Sequence, residues 1–180
     1  MRHGTTAWNK QKKIQGLADI SLDKDGIEEV LKVKEKLKEV SFDLVFSSPL
    51  NRAKETAFLV TNSDDLQIDD LLLEIDFGDY EGRSYLDIES KKDDPLYNFF
   101  YNPLLYLPSN GEEISNVRKR SKLFFSKLKD KYKDKDINIL VVSHSIFIRS
   151  TILNMENLET KELFNKTSVN NASYRIIKDF

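Results

Sequence analysis

Cysteine is absent from the 180 residues, tryptophan occurs once, histidine twice, proline four times and glycine six times. Without cysteine there is no disulfide framework, as expected of a protein kept in a reducing compartment. No stretch approaches the roughly 18 apolar residues that span a bilayer, and the start lacks the apolar core of a secretion signal. A cytoplasmic location is therefore expected, with no membrane as partner. Charge of one sign is also missing. Twenty-eight basic side chains face 30 acidic ones, for a net charge of −2, and no long Lys/Arg run stands without interleaved acids, so nucleic acid is excluded as a partner. There is no internal repeat, low-complexity tract or linker. With 39% hydrophobic and 32% charged residues, residues 1–180 are read as one globular domain.

The organisation is read from periodicity. Residues 24–40 place Ile27, Val30, Leu31, Leu37 and Val40 near one stripe of a helix. Leu44, Val45 and Phe46 form a short strand that runs into a helix, with Ser48 read as N-cap and Pro49 at the first helical position. The pattern returns later. Ile114, Val117, Phe124, Leu128 and Tyr132 have helical spacing, "INILVVSH" is a β-branched strand needing burial on both faces, "SIFIRSTILNM" is a helix, and "SYRIIKDF" is a last strand. Alternating strands and helices predict an α/β three-layer sandwich with a mostly parallel central sheet. Between these blocks, residues 77–106 hold eight of the 19 aromatics. They are read as a small helical insertion with its own packing, spanning about 76–110 and able to act as a lid.

Ligands of open α/β sheets bind beyond the carboxyl ends of the strands. "SSPLNR" and "SHS" both follow strands, which points Arg52 and His144 to one place, and Arg2 and His3 would join them. Two imidazoles, two guanidiniums and an amide make a cationic, donor-rich pocket suited to a phosphoryl group.

At these residues the chain resembles the histidine phosphatase superfamily, the phosphoglycerate mutase-like fold, in its small phosphatase branch. The matching segments are "RHGTTAWN", "QGLADISLDKDG", "FSSPLNRAKETA", "LLLEIDFGDYEG", "GEEISNVRKR", "VVSHSIFIR" and "NNASYRI", in order over nearly the whole chain. The resemblance implies that His3 is a nucleophile forming a phosphohistidine. It implies further that Arg2, Arg52 and His144 bind the equatorial oxygens and that Asn9 adds an amide donor. Glu74 matches the family's general acid and base, with Asp76 and Glu81 as alternatives. Gln15 and Gly16 either line the pocket or form a plain turn. Arg149, five residues after His144, is expected in an internal ion pair. No cofactor and no metal are implied.

Two departures stand out. The family carries a short apolar strand directly before Arg-His-Gly, but only Met1 stands there. The first strand is thus expected to be missing or shortened, with unpaired neighbours and an unsupported His3. A sequence shortened at its start is the favoured reading, checked by extending the chain with its natural upstream codons and comparing stability and activity. Ser145 stands where the family usually has glycine, and is expected to be strained if that position needs a positive φ.

The expected partner is a small phosphorylated metabolite. Across residues 76–107, seven acids against three bases give −4, a rim that repels a bisphosphorylated acid and favours hydrolysis of a phosphomonoester. Phosphoglycerate mutase-type transfer and non-catalytic phospho-ligand binding stay open as alternatives.

Overall fold

Two short apolar runs carry the sheet. In the computed structural model, which describes residues 1–178, the chain runs through α1 (Ala7–Lys10), α2 (Lys24–Lys36), β1 (Leu44–Ser47), α3 (Asn51–Thr61), β2 (Gln67–Ile68), α4 (Tyr85–Glu89), α5 (Tyr97–Tyr101), α6 (Ile114–Tyr132), β3 (Ile139–Val142) and α7 (Ser145–Met155). The strands are all parallel in the order β2-β1-β3, with Leu44 opposite Ile139 and Phe46 opposite Gln67. Side chains alternate across the pleat. Val45, Leu140 and Val142 therefore pack with Val30 and Val33 of α2 and Ala53, Ala57 and Val60 of α3. Phe46, Ile139 and Val141 turn the other way, toward Phe124 and Leu128 of α6 and Phe147 of α7. This is the three-layer α/β sandwich. Among the described residues no helix is long and apolar enough to cross a membrane.

The expected stripe of α2 is corrected. Its buried face is Gly26, Val30 and Val33, whereas Ile27, Leu31 and Val40 are exposed. The cause is a close approach to the Arg-His-Gly segment. A Cβ on Gly26 would stand 2.0 Å from the Thr5 carbonyl oxygen, and one on Gly4 would stand 2.6 Å from that of Gly26. Only hydrogen fits at either position, so α2 rotates its smallest residue toward the segment it supports.

His3 is not left unsupported. Residues 1–3 run parallel beside the end of β3: Ser143 N–H donates to Met1 O (3.0 Å) and His3 N–H to Ser143 O (3.1 Å). From the other side, Arg2 N–H donates to Ser173 O (2.9 Å) and Ala172 N–H to His3 O (3.0 Å). The final strand read from "SYRIIKDF" does not form over residues 173–178, and the last two residues of that run lie outside the described residues. An apolar cleft of about 750 Å³, lined by Phe42, Phe125, Ile139, Val141, Tyr174 and Ile176 among others, separates this segment from β3. Among the described residues no ladder partner pairs with its backbone beyond Ser173.

Residues 76–110 form short helices, as the sequence suggests, but they do not pack by themselves. Phe99 of α5 meets Phe77 (4.9 Å between ring centroids), Tyr106 (4.9 Å) and Phe164 (5.5 Å) edge to face. All of these rings belong to the apolar cluster that also holds α6 and α7.

Candidate active site

Four segments converge at the carboxyl ends of the strands, where an open α/β sheet leaves its crevice. Residues 2–4 lie beside the end of β3, and His144 follows two residues after it. Ser48 and Arg52 follow β1, and Glu74 follows the turn after β2. Every one of these side chains but Arg2 is almost wholly buried, with Arg52 and His144 at 0% exposure.

The two imidazoles face each other, ring centroids 5.1 Å apart and planes tilted by 55°. Nδ1 of His3 lies 2.7 Å from the Gly4 carbonyl oxygen. A carbonyl only accepts, so Nδ1 carries the proton and Nε2 keeps its lone pair. Burial is the largest influence holding His3 well below the usual imidazole range; Arg2 and Arg52 act in the same direction, and the Gly4 carbonyl opposes them. The ring is thus neutral at neutral pH. His144 is tied differently. Arg52 Nε–H donates to its Nδ1 (3.2 Å), which must therefore be the unprotonated nitrogen, and Nε2–H donates to Ser48 Oγ (2.7 Å). Burial, followed by Arg52 and His3, lowers its pKa as well.

Arg52 is fixed at three of the five N–H groups of a guanidinium. Besides His144, it donates through Nη1 to Ala18 O (2.8 Å) and through Nη2 to Gly16 O (2.7 Å). Arg2 donates through Nη1 to Val169 O (2.8 Å), while its buried Nε has no protein partner. Desolvation brings both guanidiniums down to about 10, so both remain cations at neutral pH. Glu74 accepts from Ile75 N–H (3.0 Å) and from Ile146 N–H at the start of α7 (3.0 Å). Burial raises its pKa; these hydrogen bonds, and then Arg52 and Arg2, pull it back.

Asn9 closes a capping box with Thr6, and its Nδ2 reaches Gln15 Oε1 only at 3.5 Å. Gln15 Oε1 accepts from Thr6 Oγ1 (2.7 Å), whereas its buried Nε2 lacks a protein partner. Gly16 serves through its carbonyl, the acceptor for Arg52. A Cβ at Gly16 would stand 2.4 Å from both Glu81 Oε1 and the Ile75 carbonyl. Gly16→Ala is therefore expected to lower Tm by roughly 2–12 °C, from about 1–3 kcal/mol of overpacking. Unchanged melting would contradict this close packing.

The other acids do different work. Glu81 accepts from Leu17 N–H and, at 2.8 Å, from Ala18 N–H, and Asp76 accepts from Gly78 N–H (2.8 Å). Both organise loops. Arg149 is not in the ion pair expected of it: it donates to Leu163 O, to Thr167 and to Ser145 Oγ, all neutral oxygens. Nor is Ser145 strained. It is the first residue of α7 and is not among the residues with positive φ. Ser48, read as a helix cap, is instead the partner of His144, because α3 begins only at Asn51 with Leu50 as its N-cap. Asn171, which lies in the matched segment "NNASYRI" but is not among the expected site residues, reaches the site through Gly4 and Asn9. Among the described residues no cluster of three or more His, Cys, Asp or Glu side chains is arranged to hold a metal ion.

The chain belongs to the histidine phosphatase superfamily, branch 1, whose family model matches residues 1–178. It is 37% identical over 147 residues to the adenosylcobalamin/alpha-ribazole phosphatase of Escherichia coli (strain K12), covering 80% of this chain and 71% of that protein. Phosphoserine phosphatase 1 of Hydrogenobacter thermophilus is 25% identical over 179 residues, 98% of this chain and 83% of its own length. Among solved structures, Bacillus stearothermophilus YhfR superposes with a TM-score of 0.86 at 26% identity, covering 96% of this chain and 85% of its own.

Proposed function

We propose that the protein hydrolyses a small phosphomonoester through a phosphohistidine on His3, with Glu74 as general acid and base. The observation that carries this reading is a buried imidazole with a fixed tautomer: Nδ1 is held by the Gly4 carbonyl, and two guanidiniums contribute to keeping the ring neutral. Nε2 attacks phosphorus as the bond to the leaving oxygen breaks, and protonated Glu74 gives its proton to that alkoxide. Glu74, now ionised, takes a proton from water, which attacks the same phosphorus. The P–N bond breaks and inorganic phosphate leaves.

Charge on the transferring group is met by Arg2, Arg52, Asn9 and His144, whose Nε2–H exchanges Ser48 Oγ for a phosphoryl oxygen. The buried Arg2 Nε and Gln15 Nε2 are donors that a phosphoryl oxygen satisfies, and a buried donor without an acceptor is costly. Arg52→Ala is expected to cost about 3–4 kcal/mol of transition-state stabilisation, as for a preorganised oxyanion donor. A loss of less than tenfold in kcat/KM would place Arg52 outside the reaction.

The names of phosphoserine and alpha-ribazole phosphatases among the relatives support a phosphomonoester of metabolite size as the substrate class. The acidic segment 76–107 disfavours a second phosphate. Phosphate release from a panel of phosphorylated metabolites and from p-nitrophenyl phosphate tests the reading. A parallel reaction holds 3-phosphoglycerate with a trace of bisphosphate primer. Hydrolysis across the panel is the expected result; isomerisation of 3-phosphoglycerate without hydrolysis would replace it with mutase chemistry, and binding without turnover would make the protein a binder.

A further inference from the structure

Loop 169–173 lies against the Arg-His-Gly segment and has one side chain directed at two of its carbonyl oxygens and at the side-chain oxygen of Asn9. Asn171 Nδ2 lies 3.2 Å from Gly4 O, 3.0 Å from Asn9 Oδ1 and 3.4 Å from His3 O. Two of these are backbone carbonyls, which only accept, so the nitrogen end of the amide must face them. Two hydrogens serve three acceptors, and one is shared. Ala172, at φ +49°, turns the loop so that its own N–H also reaches His3 O (3.0 Å).

Each acceptor has a second task. Gly4 O receives the Nδ1 proton of His3 (2.7 Å), so its position sets where Nε2 points. Asn9 Oδ1 also accepts from Thr6 N–H (3.1 Å). With two donors on Oδ1, the Asn9 amide cannot flip, and its NH2 stays on the side where it has only the 3.5 Å contact to Gln15.

We infer that Asn171 is a positioning residue: one amide fixes both the aim of the His3 nucleophile and the donor face of Asn9. This rests on His3 being the nucleophile. Displacements of about 1 Å at a reacting group can cost up to a hundredfold in rate, and the role requires no contact between Asn171 and substrate.

The test is single-turnover phosphorylation by p-nitrophenyl phosphate, followed by rapid quench, well below the Tm of every variant. Asn171→Ala is expected to slow phosphoenzyme formation by about 10- to 100-fold. Asn171→Asp, with the same shape but no donor, should be at least as slow. Because the residue acts through Asn9, the Asn171→Ala penalty should shrink by about threefold or more when Asn9 is already alanine. A merely structural role lowers Tm and leaves the two penalties independent. Should Asn171→Ala unfold at the assay temperature, Asn171→Ser, which keeps one donor, replaces it and should lose less rate than Asn171→Asp. Wild-type phosphorylation rates in folded variants, or full additivity with Asn9→Ala, overturn the inference. Absence of any phosphoenzyme in the wild-type protein is a different failure, that of the nucleophile itself.

Discussion

His3→Ala should lower kcat for p-nitrophenyl phosphate on the order of 10⁵-fold and abolish the phosphoenzyme, since removing a covalent nucleophile removes the pathway and not one contact within it. The remaining pocket keeps its charge. Arg52 stays anchored on His144, Gly16 and Ala18, so inorganic phosphate should still bind the variant. Retained binding with lost turnover separates loss of the nucleophile from collapse of the site. Removing a buried ring leaves a cavity, and the melting temperature of the variant must be measured alongside. A folded His3→Ala protein within a hundredfold of wild-type turnover would show that the reaction does not run through this imidazole.

Glu74→Gln is expected to show a loss that depends on the leaving group. An alkyl phosphate releases a basic alkoxide that needs a proton, so its turnover should fall by about 10²–10⁴-fold. With p-nitrophenyl phosphate, whose leaving group is a stabilised phenolate, formation of the phosphoenzyme should survive better than its hydrolysis. The intermediate should then accumulate, because no base remains to activate water. The amide oxygen of glutamine can still accept from the start of α7, where Glu74 meets Ile146 N–H at 3.0 Å, so the helix keeps its cap.

The pH profile carries the same signature. Burial raises the Glu74 pKa, and in the proposed reaction the acid form is the proton donor. Turnover of alkyl phosphates should therefore decline as pH rises through that raised value, and the alkaline limb should vanish in Glu74→Gln. The acid limb belongs to His3, whose pKa is lowered; activity should persist below the usual imidazole range before protonation removes the lone pair. Equal losses on alkyl and nitrophenyl esters, with the alkaline limb intact, would assign the proton transfer elsewhere.

Much of the site was legible because its residues sit at strand ends. The apolar runs Leu44–Phe46 and Ile139–Val142 declared themselves by β-branched or aromatic content, and a parallel sheet brings the residues after each run to one edge. The features that escaped the sequence depend on contacts no local pattern encodes. The rotation of α2 is set by Gly26 against Thr5, two segments distant in sequence, so Ile27 and Leu31 counted as core while lying in solvent. Ser48 looked like a cap because Ser-Pro is a common helix start; its hydroxyl is taken instead by His144, 96 residues away. Asn171 lay in the matched segment "NNASYRI" without pointing to a role, since an asparagine in a polar loop is ordinary until its three acceptors are placed. The last strand failed for a similar reason: strand propensity in "SYRII" needs a neighbouring ladder, and beyond Ser173 the described residues offer none.

The deciding question is which atom carries the phosphoryl group. Rapid quench of wild-type protein with a radiolabelled phosphoester at alkaline pH, followed by proteolysis and mass mapping, reads it directly. The predicted result is a single acid-labile, base-stable phosphate on His3, in the peptide that carries Arg2-His3-Gly4. A phosphate mapped to any other residue, or a label that survives acid, would contradict it.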